Sequence, residues 1–313
     1  MKVQRGGEVT GIGGRSAGMD TVQAMAAPLL VVDTPSMLYR AFYALPKTIT
    51  GMIGGARAPV NALLGTANLV LREIEAHAPR AIVLCFGPDA ASYRVEMLAA
   101  YHADRPPMPD ELGPQFAACR DLFPRFGWRI AESDDLEAED MLGSFARVES
   151  AGGGRTLVMT GDRDMFQTAS DDVTVLYIST GKRGGELVGP DEVRKRYGIG
   201  PELVPDFIAL RGDPSDGIPG GKGIGEKTAA DLLKRHGSLD AVLDNAIREA
   251  TPRLRGTLTD QREELLRFRE IARLQDAAVE RPPDGATDFT AAAEAAREYG
   301  MNGLADRLGK VAG

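Results

Sequence analysis

The residues best able to do chemistry in this chain are carboxylates, and they come in four groups. Asp33 closes a short apolar run, Leu29-Leu30-Val31-Val32. Glu137, Glu139 and Asp140 fall within four residues, just ahead of Met141 and Phe145. Asp162 and Asp164 are spaced i, i+2 in Thr160-Gly161-Asp162-Arg163-Asp164, directly after another apolar run. Asp213 and Asp216 sit in Asp213-Pro214-Ser215-Asp216, at a helix–turn boundary. Taken singly, each reads as an acid that favours a helix start or caps a turn. Brought together, the four groups would repel one another, and only bound cations or raised pKa values make that tolerable. A ligand set made of oxygen alone selects Mg²⁺ or Mn²⁺. Two such ions roughly 3.5–4 Å apart would clamp the attacking and leaving oxygens of a phosphodiester hydrolysis. Zinc fits poorly, because His77, His102 and His236 show no ligand spacing.

A second feature follows the last acidic pair. The stretch from Gly217 to Ala229 reads GIPGGKGIGEKTA. Gly221, Gly223 and Gly225 around Ile224 let the backbone approach a ligand closely, and the helix that follows offers free N–H groups to a phosphate. Lys222 and Lys227 add positive charge, and Thr228 lies in the first turn of that helix. The Gly-Lys-Ser/Thr spacing of a Walker A loop is absent. A simple helix connection would explain the glycines alone. Placed directly after Asp213 and Asp216, the stretch reads as a helix-hairpin-helix that grips a DNA backbone without reading its sequence.

The elements that must position these groups follow from hydrophobic patterning. Residues 29–32, 81–86, 156–160 and 173–178 are continuous apolar runs, the signature of strands buried on both faces. Helical spacing separates them, as in Val60, Leu63, Leu64, Ala67, Leu71 and Ile74. This alternation predicts an α/β domain with a mostly parallel sheet, whose strand ends collect functional groups. After Gly181 short helical segments alternate with Gly and Pro turns, and Pro282-Pro283-Asp284-Gly285 precedes an Ala-rich helical tail. The expected organisation is a disordered leader over 1–27, an α/β domain over 28–181, a helical region over 182–281 and a tail over 282–313.

Composition narrows the function further. The chain has 313 residues, two cysteines and a formal net charge of −8. No apolar stretch approaches the roughly 20 residues of a membrane span, and two cysteines cannot form a disulfide framework, so a cytoplasmic protein is expected. An acidic balance argues against a nucleic-acid binder unless the acids are neutralised locally. Eight of them belong to the four groups above, which matches the net charge.

The motifs in this order resemble the 5′-nuclease (flap endonuclease) superfamily, and most of all the bacterial 5′-3′ exonuclease domain of family A DNA polymerases in free-standing form. The similarity runs over roughly residues 29–275. It rests on Val32-Asp33 with Tyr39-Arg40-Ala41-Phe42, Ser92-Tyr93-Arg94, Tyr101 to Pro109, Glu137 to Asp140, Thr160 to Met165, Leu210 to Asp216 and Gly223 to Thr228. It implies a PIN-like nuclease domain with helices on both faces of the sheet, plus a small helix-three-turn-helix domain. The implied activity is divalent-metal-dependent hydrolysis of DNA at 5′ ends and 5′ flaps in replication and repair, by a monomer using two or more Mg²⁺ or Mn²⁺ ions. By position, Asp33, Glu137 and Glu139 would hold the first ion, and Asp162, Asp164, Asp213 and Asp216 the second, with Asp140 shared or in the outer shell. Arg40, Arg94 and Arg105 would steer phosphates with His102 assisting, Tyr39 would stack a base, and the hairpin would take K⁺ on its carbonyls.

The sequence departs from the family pattern at two positions that matter. Gly87 stands where the family has Asp after the second strand, with Asp89 two residues on. His102 stands where the family has Lys. A DNA-binding protein with lost or weakened nuclease activity is the alternative these departures leave open, and an RNA-cleaving nuclease is a third.

Overall fold

A computed structural model describes residues 27–179 and 184–313; the expected leader and the expected domain boundary at Gly181 lie outside the described residues. Six strands form one sheet in the order β5-β4-β1-β6-β7-β8. They are β1 (Leu29–Asp33), β4 (Ala81–Phe86), β5 (Arg129–Glu132), β6 (Thr156–Thr160), β7 (Val173–Tyr177) and β8 (Glu186–Val188). All pairings are parallel except β7 with β8. A separate hairpin, β2 (Thr50–Ile53) with β3 (Ala56–Pro59), turns at Gly54 and Gly55. Both glycines have positive φ, 58° and 80°, as a tight two-residue hairpin turn demands.

Period-two alternation along β1 and β4 feeds two cores. Leu29, Val31, Val83 and Cys85 face α5 (Ala138–Ala151). Leu30, Val32, Ile82 and Leu84 face α1 (Thr34–Ala44), α2 (Asn61–His77) and α4 (Gly113–Leu122). Covered on both sides, the strands carry apolar residues at every position, which is why they read as continuous runs.

The first core does not stop at the sheet. It continues through α7 (Val204–Arg211), α8 (Glu226–His236), α9 (Leu239–Asp244), α10 (Pro252–Asp260) and α11 (Arg262–Ala272), taking in Phe207, Leu232, Leu233 and Phe268. The helical region and the sheet therefore share one packed interior. The Ala-rich tail forms α12 (Phe289–Glu298) and α13 (Asn302–Ala312), which close the second core with Ala292, Ala296, Leu304 and Leu308. Trp128 Nε1 donates to Thr287 Oγ1 at 3.0 Å, and Met52 N donates to Tyr299 O at 3.1 Å, so the tail also secures the β2–β3 hairpin. Among the described residues no helix is long and apolar enough to cross a membrane.

Candidate active site

Parallel β1 and β6 end side by side, and their last residues start the site. Asp33 ends β1 and caps α1, its Oδ1 accepting from Ser36 N at 3.1 Å. Its Oδ2 accepts from Thr160 Oγ1 at 2.8 Å, which ties the ends of the two strands together. Beyond Thr160 the chain turns so that Asp162 N donates to Thr160 Oγ1 (3.0 Å) and Asp164 N donates to Asp162 Oδ1 (2.8 Å). Both carboxylates of the i, i+2 pair are thereby held at the strand end. Arg40, from α1, donates through Nη2 to Gly161 O at 3.0 Å, while its buried Nε has no partner.

The last acidic pair reaches this place from the helical region. Asp213 and Ile218 exchange backbone hydrogen bonds of 2.8 Å, closing a small loop. Asp213 also pairs with Arg211 at 3.0 Å and accepts from Ser215 N at 2.9 Å. Asp216 accepts from Arg105 Nη2 at 3.1 Å and lies 3.2 Å from His102 Nε2. His102 itself has φ +54°, stacks on Tyr101 with ring centres 3.9 Å apart, and meets the carbonyl of Asp89 through Nδ1. Asp89 is exposed and pairs with Arg105 at 3.1 Å, so it is engaged at the rim.

Electrostatics bind these groups into one site. Burial pushes Asp33 above the ordinary carboxylate range despite its hydrogen bonds. Burial, then the charges of Asp162, Asp216 and Asp33, push Glu139 well above it. Asp164 is driven up in the same way, by burial and by Asp162, Asp216 and Asp213. Asp162 rises to about 6, through burial and the Asp216 charge. Asp216 goes the other way: burial opposes its ionisation, but the His102 hydrogen bond and the nearby His102, Arg105 and Arg94 charges hold it below its usual value. Carboxylates from all four groups thus feel one another, and their protein cations are too few to neutralise them. That is the donor chemistry of a hard divalent cation. As the side chains stand, no three among the described residues close on a single ion position; Asp33, Asp162 and Asp213 accept local hydrogen bonds.

Two of the expected site residues are engaged by protein partners. Glu137 is the N-cap of α5, and both its oxygens are occupied: Oε1 by Ala91 N at 2.7 Å, Oε2 by Tyr101 Oη and Arg94 Nη1, each at 2.9 Å. Asp140 completes a capping box with Glu137 and accepts from Arg94 Nη2 (2.8 Å) and Gln275 N (2.8 Å). Arg94 is 2% exposed. Its guanidinium faces inward onto these two acids. This buried ion cluster fixes the start of α5 and leaves Glu139 to face the other carboxylates. Tyr39 is half-buried, edge-on to Phe116 at 5.8 Å.

Below the carboxylates lies the glycine-rich hairpin. Ile224 is buried and anchors it, and Gly221, also buried, donates to Leu210 O at 2.9 Å. Lys222, Gly223, Gly225 and Lys227 are exposed and Thr228 is half-buried. Gly225 caps α8 without a side-chain acceptor, so the first N–H groups of that helix stay open. The support behind this turn comes from residues outside the glycine motif. Gln261 Oε1 accepts from Lys222 N at 2.8 Å, and Thr257 Oγ1 donates to Lys222 O at 3.0 Å. Nothing in the spacing of 252–272 signals that these helices fold back onto the hairpin.

Comparison with known proteins places this arrangement. Residues 28–198 match the family model of the 5′-3′ exonuclease N-terminal resolvase-like domain, and residues 199–289 that of the 5′-3′ exonuclease C-terminal SAM fold. A 5′-3′ exonuclease of Mycobacterium tuberculosis is 36% identical over 255 residues, covering 75% of this chain and 79% of the relative. DNA polymerase I of Mycobacterium bovis is 37% identical over 217 residues, which is 69% of this chain but 24% of the relative. The chain therefore spans about a quarter of the length of that curated polymerase. Among solved structures, the bacteriophage T5 flap endonuclease in a pseudo-enzyme-product complex with DNA and metal ions gives a TM-score of 0.65 at 15% identity, covering 91% of this chain and 99% of that one. The catalytic core of Rad2 with DNA substrate gives 0.60 at 15% identity, covering 91% and 92%. Those two likenesses concern the fold, while the family models and the mycobacterial exonuclease decide kinship: the chain belongs to the 5′-3′ exonuclease family.

Proposed function

We propose that this protein hydrolyses DNA phosphodiester bonds near 5′ ends and at 5′ flaps, using divalent cations, Mg²⁺ or Mn²⁺. The observation that carries this reading is the gathering of Asp33, Glu139, Asp162 and Asp164 in one buried acidic site at the strand ends, where burial raises all four and neighbouring carboxylates raise Glu139, Asp162 and Asp164 further. Those four, with Asp213 and Asp216, would hold the cations, and Glu137 and Asp140 would set the helix from which Glu139 projects. The cations would supply a hydroxide and neutralise charge developing on the phosphate and the leaving oxygen.

The chain's own groups do the rest. Arg40 and Arg105 flank the acids and attract the phosphates that the acids alone would repel. His102, held by Asp216 and by the Asp89 carbonyl, presents its ring to the same Asp216 oxygen that Arg105 holds. Gly223, Gly225, Lys222 and Lys227 grip the duplex through its backbone, so the grip is indifferent to sequence. Protein-bound K⁺ on the hairpin carbonyls would assist that grip.

Asp164→Asn tests the assignment. With 5′-labelled flap DNA and Mg²⁺ or Mn²⁺, the variant should lose cleavage by at least a hundredfold while binding stays within a few-fold. Normal turnover by the variant would sink the assignment of Asp164. An absence of cleavage by the unmodified protein with either ion, against EDTA controls, would sink the nuclease reading.

A further inference from the structure

Arg253 sits where helix stability would place an acid. It is the second residue of α10, whose first turn holds no carboxylate, and a cation there opposes the positive end of the helix dipole. No ion pair or hydrogen bond among the described residues offsets this. Arg235, Arg255, Arg262, Arg269 and Arg273 each have a partner; Arg267 of α11 is exposed and, among the described residues, has none either, but it does not lie against the hairpin turn. An unfavourable placement with no local compensation is a mark of function.

The guanidinium is spent on the hairpin instead. A Cβ added to Gly223 would meet Arg253 Nη2 at 2.6 Å, Cζ at 2.9 Å and Nε at 3.0 Å, so the planar group lies across the face of that glycine. Gly223 has φ +80°, a conformation that glycine adopts without strain. Thr251 caps α10 by accepting from Leu254 N at 3.2 Å, and Thr257 and Gln261 hold Lys222 by its backbone. Helix and hairpin are therefore locked in register, and Arg253 is presented beside Lys222.

We infer that Arg253 is a phosphate-binding residue: α10 supplies a third wall to the hairpin, and one phosphodiester of the duplex docks on the outer surface that the turn at Gly223 and this guanidinium form side by side. A planar fork of N–H donors with no carboxylate partner suits a phosphate oxygen pair. The inference rests on the hairpin reading above and adds to it a contact from outside the glycine motif.

The test is the salt dependence of binding to flap duplex in EDTA, by fluorescence anisotropy between 50 and 200 mM KCl. Removing one phosphate contact lowers the slope of log K against log salt by about 0.9, so Arg253→Gln should lose roughly 3-fold less affinity across that range. KM for cleavage should rise with kcat unchanged. Arg267→Gln, the same charge change at an exposed arginine of α11, should leave the slope as it was. Equal effects of the two variants would reduce Arg253 to general charge and overturn the inference. An unchanged slope for Arg253→Gln alongside lowered slopes for Lys222→Gln and Lys227→Gln would overturn it while the hairpin reading stands. Unchanged slopes for all of them would remove both.

Discussion

A Cβ on Gly87 would stand 2.3 Å from the carbonyl oxygen of Leu136 and 2.7 Å from Ala138 N. The end of β4 and the start of α5 are closer here than any side chain permits. By the resemblance a carboxylate would stand at this position; here the backbone of Leu136 to Ala138 fills the space it would need. Gly87→Asp should therefore lower thermal stability, by about 1–3 kcal/mol as overpacked sites do, and bring no gain in Mg²⁺-supported cleavage. Unchanged melting with tighter Mg²⁺ binding would show that the backbone yields and that the site accepts the extra ligand.

Arg94 is the counter-ion of two buried acids. Arg94→Met leaves Glu137 and Asp140 without a cation in a water-poor place, a loss of about 3–5 kcal/mol when one partner of a buried pair is removed. Urea denaturation measures it. Arg94→Lys should recover only part, because an ammonium cannot bridge Asp140 with two N–H groups while also reaching Glu137. Near-wild-type stability of Arg94→Met with reduced DNA affinity would show that the side chain turns out to the nucleic acid.

The acidic site predicts an inverted pH dependence for metal-free protein. Asp162 rises to about 6 from 3.8, and Glu139 and Asp164 are raised as well. The folded state thus binds protons more tightly than the unfolded chain, so stability falls as pH climbs from about 4 through 6. Glu149 and Glu249, paired with arginines and held below 4.5, lose their contribution only at more acid pH. In EDTA the melting temperature should be higher at pH 5 than at pH 7. Mg²⁺ or Mn²⁺ should raise it at pH 7, and much less at pH 5 as protons compete. A melting temperature in EDTA that increases from pH 5 to 7 would contradict the direction of these shifts.

Much of the scaffold is written in simple patterns. β1, β4, β6 and β7 are legible because burial on both faces forces apolar residues into every position. β5 is not: Arg129-Ile130-Ala131-Glu132 lies at the sheet edge, where polar side chains reach solvent. β8 is three residues long and falls where the pattern reads as helical. Asp33, Asp162 and Asp164 could be placed because a strand end fixes where its last side chains point. The division of labour within Glu137, Glu139 and Asp140 could not. It depends on which acid meets Arg94, a residue more than 40 positions away whose inward orientation has no local signature. Arg253 is hidden for the same reason, since its partner is the hairpin and not its own helix.

The unbroken interior that runs from Val31 and Val83 through Phe207 to Leu232 and Leu233 has a consequence for products. On the proposed function, a grip and a cutting centre mounted on this one packed interior would act as a calliper, with a spacing that thermal motion changes little. The number of nucleotides between the gripped backbone and the scissile bond is then set by the protein, and it should stay constant across substrates of different sequence. Loosening the frame by Phe207→Ala, whose side chain is 1% exposed, should blur that spacing into a ladder of adjacent cuts on a sequencing gel before it abolishes cleavage.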